Sequence, residues 1–328
     1  MPPASMSKLM TIYIVFEAIR AGSISLDTKF IVSEKAWRKK GSKMFVEEGK
    51  TVSVIDLLRG IIIQSGNDAC IVIAEGISGS EDVFANQMNK TAKKLGLTNS
   101  NFTNSTGWPD PEHYMSSKDL AVLAKRIVSD FPEYFYLFSE KSFTFSNIKQ
   151  SNRNPLLFSY PLSDGLKTGY TEASGYGLTA TAIKGNKRLV LVINGLNNAA
   201  ERKKESIKLF NWAFRGFVNI NLYEPNEVIT QADVWLGKKD LVGLVSNKEI
   251  KITIKKEDLK KLTIKTYYNS PIPSPIDKYT QYGKIIISNT VEGLIEIPLY
   301  ANEKINTSGP IRRIFSALSY IIFGAYAE

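Results

Sequence analysis

Across 328 residues the chain carries one cysteine, Cys70, and one histidine, His113. A single cysteine excludes an intrachain disulfide, and with one histidine it leaves too few ligands for a structural zinc site. Cys70 lies in the apolar run "ACIVIA", where a thiol serves as a small buried hydrophobe. Any Ser-His-Asp triad would have to use His113. That residue sits in the turn-rich "GWPDPEHYM" with no nucleophile elbow, so a solvated loop histidine is expected. Long apolar runs are missing too. No stretch reaches the about eighteen residues of a spanning helix. Glu17 interrupts "TIYIVFEAI", and no small-residue cleavage pattern follows it, so this segment is not read as a signal peptide. Acidic residues are short in one part only: residues 1–216 hold 28 basic against 20 acidic side chains, whereas residues 217–308 hold 12 against 11. A basic first part suits an anionic partner such as a carboxylate substrate, an acidic polymer or a lipid surface. No basic stripe interleaved with aromatics occurs, which argues against nucleic acid. Lys35, Arg38, Lys39, Lys40 and Lys43 read as a solvated loop.

What is present divides the chain by hydrophobic period. Residues 5–21 read as a helix that is apolar nearly all round and stopped by Gly22, the pattern of a helix at a domain centre. "SVIDLLRGIIIQ" is a second helix with Ser53 as N-cap. "SEDVFANQMNKTAKKLG" is a third, with acids in its first turn and Lys93 and Lys94 in its last. "SSKDLAVLAKRIV" opens on a Ser116 to Asp119 capping pair. The period then changes: "SFTFS", "GYGLTATAI" and "RLVLVINGL" read as strands, the last two joined by "KGNK" as a hairpin, before "ERKKESIKLFNWAFRGF" returns to helix. Hairpins rather than helical crossovers join the late strands, so the fold class is α/β (α+β) with an antiparallel sheet over residues 1–216. Residues 217–308 read as a small all-β module, sandwich-like or barrel-like, through "EVITQADVWLG", "EIKITIKKEDL", "KLTIKTYY", "GKIIISNT" and "GLIEIPLYA". It holds no convergent titratable residues, which leaves it a spacing or docking role. In residues 309–328, Ile311, Ile314, Phe315, Leu318 and Ile322 recur at helical spacing, with Arg312 and Arg313 elsewhere on the wheel. Too short to cross a bilayer, this amphipathic helix suits the interface of an anionic membrane surface.

The chemistry starts from one spacing. Ser5 and Lys8 stand three apart in a helix, hence on one face, and a neutral amine can serve a serine hydroxyl as base. Burial among apolar neighbours and a second nearby cation both push a lysine toward neutrality. A second Ser-x-x-Lys, Ser146 to Lys149, falls on the alternating "SFTFSNIKQ", where residues three apart point to opposite faces, and is read as coincidence. The first has company: Ser65 and Asn67 in "QSGNDA", and Lys167, Thr168 and Gly169 in "DGLKTGYT", 60 and then 102 residues on. Ser-x-x-Lys, Ser-x-Asn and Lys-Thr-Gly in that order are the signature shared by penicillin-binding proteins and class A β-lactamases.

On these residues, and on "IIIQSGNDAC", "KKLGLTNSNF" and "SNRNPLL", the chain resembles the D-alanyl-D-alanine carboxypeptidases, low-molecular-mass penicillin-binding proteins of serine peptidase family S11. The middle motif is Ser-Gly-Asn, typical of these carboxypeptidases, rather than the Ser-Asp-Asn of class A lactamases. The resemblance implies a transpeptidase-like domain, a β-rich domain and an amphipathic C-terminal anchor. It implies removal of the terminal D-alanine from peptidoglycan stem peptides ending in D-Ala-D-Ala through an acyl-enzyme, inhibition by β-lactams, and no metal or organic cofactor. It also implies a peripheral place in the cell envelope, on the periplasmic face of the inner membrane. D,D-endopeptidase action, weak β-lactamase action, an inactive truncated protein and a homodimer paired through the C-terminal helices stay open as alternatives. By resemblance Ser5 is the nucleophile, Lys8 takes its proton, Ser65 relays it to the leaving amine, and Asn67 holds Lys8 and the substrate amide. Lys167 supplies positive potential, Thr168 seats the terminal carboxylate next to Gly169, and the backbone N–H groups of Ser5 and Tyr170 form the oxyanion hole. Arg202 matches an arginine near the substrate carboxylate, and Arg153 a motif arginine without an assigned role. In the family a signal peptide and the first strands of the catalytic sheet precede the nucleophile helix. The expectation for a chain that starts at that helix is a sheet lacking those strands, with an exposed edge at the strand of Lys167.

Overall fold

Burial of the apolar first helix sets the centre of the first unit. The computed structural model, which describes residues 1–311 and 314, shows a 3-10 turn, Ala4–Ser7, running into helix α1, Lys8–Arg20. Every residue from Lys8 to Phe16 is buried. Around α1 lie α2 (Val54–Arg59), α3 (Asn67–Ser78), α4 (Glu81–Lys94) and α5 (Ser117–Asp130). Their starts follow from the sequence: the hydroxyls of Ser53, Ser80 and Ser116 each accept a backbone N–H three residues on, from Asp56, Val83 and Asp119. Phe16 meets the rings of Phe131, Tyr134 and Phe138 at 5.4, 5.1 and 6.4 Å, which ties α1 to the segment after α5. A fully buried side chain of this size stabilises by about 1.5–3 kcal/mol. Truncating Phe16 to alanine would cost about 3–5 kcal/mol because the close-packed ring cluster cannot collapse into the hole.

Three antiparallel strands complete this unit: β1 (Ser163–Thr171), β2 (Gly175–Lys184) and β3 (Lys187–Leu196), in that order across the sheet. The β2–β3 hairpin turns through Gly185 at φ +57°, where a Cβ would be strained. Helix α6, Ala199–Gly216, follows. The exposed edge expected at the strand of Lys167 is corrected by the structure. The residues Gly165–Gly169 of β1 are buried and Gly169 lies against Pro3 and Ala4, whereas β3 is half-buried along nearly its whole length and carries the open edge among the described residues. The second Ser-x-x-Lys resolves as a hairpin: Ser142–Phe145 pairs with Ile148–Ser151, and Ser146 and Asn147 form the turn at φ 46° and 58°.

The second unit begins at Phe214 and is all-β. Six strands form one sheet in the order Thr263–Tyr268, Gln281–Thr290, Gly293–Ala301, Leu241–Val245, Val228–Trp235 and Ile272–Pro273. Phe217–Tyr223 pairs with Ile250–Lys255 as a separate ribbon. Alternating isoleucines make its core, Ile250 and Ile252 from the ribbon against Ile285 and Ile287 from the sheet. Three strands of this unit carry no expectation from the sequence: Phe217–Tyr223, Leu241–Val245 and the two-residue Ile272–Pro273 in proline-rich "NSPIPSP". The first continues straight out of α6, and the second is short and bounded by turns. No helix among the described residues is long and apolar enough to cross a membrane. The expected amphipathic helix after Pro310 lies outside the described residues, Ile311 and Ile314 apart.

Candidate active site

Ser5 stands in the turn that opens into α1, after Ala4 at φ 48°, and Lys8 is the first residue of the helix. One turn of separation brings Lys8 Nζ to 2.9 Å from Ser5 Oγ. The same nitrogen lies 2.7 Å from Asn67 Oδ1 and 2.5 Å from the Thr106 carbonyl oxygen. Lys8 is completely buried. Burial is the main reason its pKa falls from 10.5 to about 8, and the cations Arg153 and Lys39 push the same way.

Ser65 and Asn67 sit where one helix ends and the next begins. The helix of α2 widens into a π turn, Gly60–Gln64, and stops at Ser65 in the left-handed region. Ser65 Oγ is buried with no hydrogen-bond partner. Asn67 opens α3, and its Nδ2 donates to the Lys40 carbonyl at 2.9 Å, which turns Oδ1 toward Lys8. The next residue, buried Asp68, accepts the backbone N–H groups of Met44, Phe45 and Val46 at 2.9, 2.9 and 3.3 Å. The charged side chains of Lys35, Arg38 and Lys40 are exposed, as the solvated-loop reading expects, but the backbone of the loop is built into the site through the Lys40 carbonyl, and Ser42 Oγ accepts from Arg153 Nη1 at 2.6 Å. Lys35 is also tied down, by Glu81 at 3.0 Å.

The Lys-Thr-Gly run lies on β1. Lys167 is 1% exposed, and its Nζ donates to the Thr168 carbonyl at 3.2 Å. Burial first, then the neighbouring Lys8 and Arg153, hold its pKa well below the usual lysine range. Thr168 is buried next to it. Gly169 is required by approach distance: a Cβ there would lie 2.9 Å from Pro3 O and 3.2 Å from Ala4 Cβ, so a larger residue would drive β1 off the Ser5 turn. Tyr170 is half-exposed and its ring meets Tyr176 at 4.3 Å. Arg202 reaches in from α6. It is buried, donates through Nη1 to Gly177 O on β2 at 3.4 Å, lies over the Tyr176 ring, and leaves Nε without a partner. Burial lowers its pKa as well. The structure therefore brings Ser5, Lys8 and Asn67 into direct contact and sets Gly169 against the serine turn. Arg202, from α6, reaches Gly177 one strand over, on β2.

Sequence reasoning missed the loop after α4. Asn104 Oδ1 accepts the N–H groups of Thr106 and Trp108 at 3.1 and 3.0 Å, and this clasp aims the Thr106 carbonyl at Lys8. Gly107, at φ +74°, lies so close to the serine turn that a Cβ would stand 2.1 Å from Ala4 O. "TNSTGW" does carry the signal of an Asx turn, an asparagine ahead of small polar residues and a glycine. His113 is corrected as well. It is buried, its Nδ1 accepts from Thr103 N at 3.2 Å, and Phe102 meets it edge-on at 5.6 Å. Burial holds its pKa down at about 4, so it is a neutral wall residue and not a solvated one. A cavity of about 320 Å³ opens beside the serine turn, between Pro3, Ala4, Gly107, Trp108, Thr171 and Ala173.

A helix-borne serine and lysine, an asparagine on the same amine and a Lys-Thr-Gly strand on an antiparallel sheet make the first unit an acyl-transferring serine hydrolase of the penicillin-binding kind. Comparison with known proteins agrees. Residues 1–198 match the peptidase S11 family, described as D-alanyl-D-alanine carboxypeptidase, and residues 217–307 match the C-terminal domain of penicillin-binding protein 5. The chain belongs to the peptidase S11 D-alanyl-D-alanine carboxypeptidase family. D-alanyl-D-alanine carboxypeptidase DacC of Escherichia coli is 37% identical over 321 residues, 95% of this chain and 80% of that protein. Penicillin-binding protein 5 from Haemophilus influenzae superposes with a TM-score of 0.85 at 36% identity, covering 93% of this chain and 91% of that one. The ampicillin-bound form of penicillin-binding protein D2 from Listeria monocytogenes superposes with a TM-score of 0.60 at 32% identity, covering 65% of this chain and 88% of that one.

Proposed function

We propose that this D-alanyl-D-alanine carboxypeptidase acts on peptidoglycan stem peptides with Ser5 as nucleophile and the neutral amine of Lys8 as its base. One observation carries the assignment: the three partners of Lys8 Nζ. A neutral amine has two N–H donors and one lone pair. Asn67 Oδ1 and the Thr106 carbonyl only accept, so they take the two N–H groups, and the lone pair is left facing the Ser5 hydroxyl. As an ammonium the same group would direct a third N–H at Ser5 Oγ and block its activation. Moving the pKa from 10.5 to about 8 supplies about 3 kcal/mol of the cost of neutrality and leaves about 1 kcal/mol at pH 7.

The remainder is left to the minor neutral fraction of the amine at pH 7. The terminal carboxylate of the substrate, seated by Thr168 and drawn by Arg202, favours a charged Lys167. Ser5 Oγ then bonds to the carbonyl carbon of the penultimate D-alanine, the oxyanion accepts from the backbone N–H groups of Ser5 and Tyr170, and the C–N bond to the terminal D-alanine breaks. The proton passes from Ser5 to Lys8 and, through Ser65, to the leaving amine. Water hydrolyses the ester and frees Ser5. An oxyanion donor of this kind contributes about 3–4 kcal/mol. A β-lactam acylates Ser5 in the same way, and its ring-opened amine stays tethered, so the ester persists. The domain limits that go with this reading are 1–216 for catalysis, 217–308 for the β-rich spacer and 309–328 for a membrane-surface anchor, with the enzyme peripheral on the periplasmic face of the inner membrane.

The test is labelling with a fluorescent penicillin, alongside D-alanine release from a pentapeptide. Wild type should take the label and release D-alanine, and Ser5→Ala and Lys8→Met should do neither while keeping the wild-type circular dichroism spectrum. Label retained by Ser5→Ala overturns the assignment.

A further inference from the structure

The second unit contains a cleft that carboxypeptidase chemistry does not use. It encloses about 710 Å³ where strand Thr263–Tyr268 ends beside the start of its neighbour Gln281–Thr290, and its lining includes Tyr267, Tyr268, Asn269, Gln281, Tyr282 and Lys284. Gly283 also lines it and packs closely on the paired strand, where a Cβ would strike Tyr267 O at 2.7 Å and Tyr268 Cβ at 2.9 Å. Two of the rings are anchored: Tyr268 Oη donates to Gln231 O at 3.3 Å, and Tyr282 Oη accepts from Asp277 N at 3.3 Å. The third, Tyr267, is 47% exposed. Asn269 and Gln281 are exposed amides. Lys284, the one charged side chain of the lining, already pairs with Glu296 at 3.0 Å.

This chemistry selects a ligand class. Fixed aromatic faces stack on apolar C–H surfaces, and tyrosine hydroxyls and amides both donate and accept. With its lysine paired, the cleft holds no uncommitted cation for a phosphate or an acidic peptide, and its amides are poor company for a lipid chain. What remains is a neutral ring-shaped molecule bearing hydroxyl and amide groups. We propose that this cleft binds carbohydrate, namely the acetamido-sugar strand that carries the stem peptides. The choice of strand rests on the carboxypeptidase reading above. Sugar C–H faces lie on Tyr267 and Tyr282, and acetamido groups pair with Asn269 and Gln281. Such a hold keeps the enzyme on a polymer while the first unit trims successive peptides.

The full chain tests this by co-sedimentation with glycan strands from which an amidase has removed every stem peptide, with N-acetylglucosamine oligomers as soluble competitor. Wild type should pellet with the bare glycan and be released by the oligomer. Tyr267→Ala combined with Asn269→Ala, both exposed positions, should weaken pelleting roughly tenfold, and Tyr267→Trp should retain it. All variants should release D-alanine from a soluble pentapeptide at the wild-type rate. No binding of wild type to peptide-free glycan overturns the proposal, as does equal binding by the double variant or a cleft-dependent dimer that excludes glycan. Glycan binding by a wild type that releases no D-alanine upholds the cleft and overturns the catalytic assignment instead.

Discussion

If Lys8 is the base and burial holds its pKa at about 8, acylation must follow the neutral fraction of that amine. About one molecule in eleven carries it neutral at pH 7 and about ten in eleven at pH 9, so the saturated rate of acylation by a β-lactam should rise about tenfold between them. It should then level off. An unperturbed lysine would give about a hundredfold rise over the same interval and no plateau below about pH 10. The sign is set by the cation: deprotonation makes the active form, so activity is lost as pH falls through 8. His113 at about 4 and Cys70 at about 12, both displaced by burial, stay outside the window. Stopped-flow mixing with a fluorescent penicillin from pH 6 to 10, at saturating drug, reads this step apart from carboxylate binding at Lys167. A flat profile, or unit slope persisting through pH 9.5, would refute the proton route from Ser5 to Lys8. The same displacement acts on stability. The unfolded chain holds the Lys8 proton up to about 10.5 and the folded chain only up to about 8, so this residue makes the fold more stable as pH rises across that window.

Other consequences are more local. Gly107→Ala places a methyl group 2.1 Å from Ala4 O at a φ of +74°, and should abolish penicillin labelling while thermal unfolding stays cooperative. Labelling at the wild-type rate would show that the serine turn does not depend on this contact. Asp68→Ala strands the N–H groups of Met44, Phe45 and Val46, at a cost of about 3 kcal/mol, or roughly 6–12 °C in Tm by calorimetry. An unchanged Tm would mean that the loop is not held by this carboxylate. Asn104→Ala should slow acylation about tenfold without shifting Tm comparably, because it frees the Thr106 carbonyl from Lys8. Equal acylation rates would remove Asn104 from its positioning role.

Much of the site was legible because its spacings are local. Ser5 and Lys8 meet by helical geometry alone, and the Ser53 and Ser116 caps form over three residues. What escaped notice was the material that looks like surface. Lys39–Lys43 reads as a charged loop, yet Asn67 holds the Lys40 carbonyl, and Asp68, more than twenty residues on, holds the N–H groups of Met44, Phe45 and Val46 just after it. Thr106 is an ordinary turn residue until folding carries its carbonyl across 98 positions to Lys8. His113 follows a proline-rich turn and looked solvated, but Phe102 covers it. The exposed edge moved from β1 to β3 because the Ser5 turn lies along β1.

By itself the order of residues determined which groups could react, through helical periodicity, cap chemistry and three short motifs whose geometry is set within a few residues. It determined the all-β character of the second unit through alternating isoleucines. Only the tertiary structure decided that Lys8 loses its solvent, that two acceptors from distant segments claim its N–H groups, and that three tyrosines share one cleft. Protonation and recognition depend on the dielectric and partners around an atom, and those come from chain segments that no local pattern brings together.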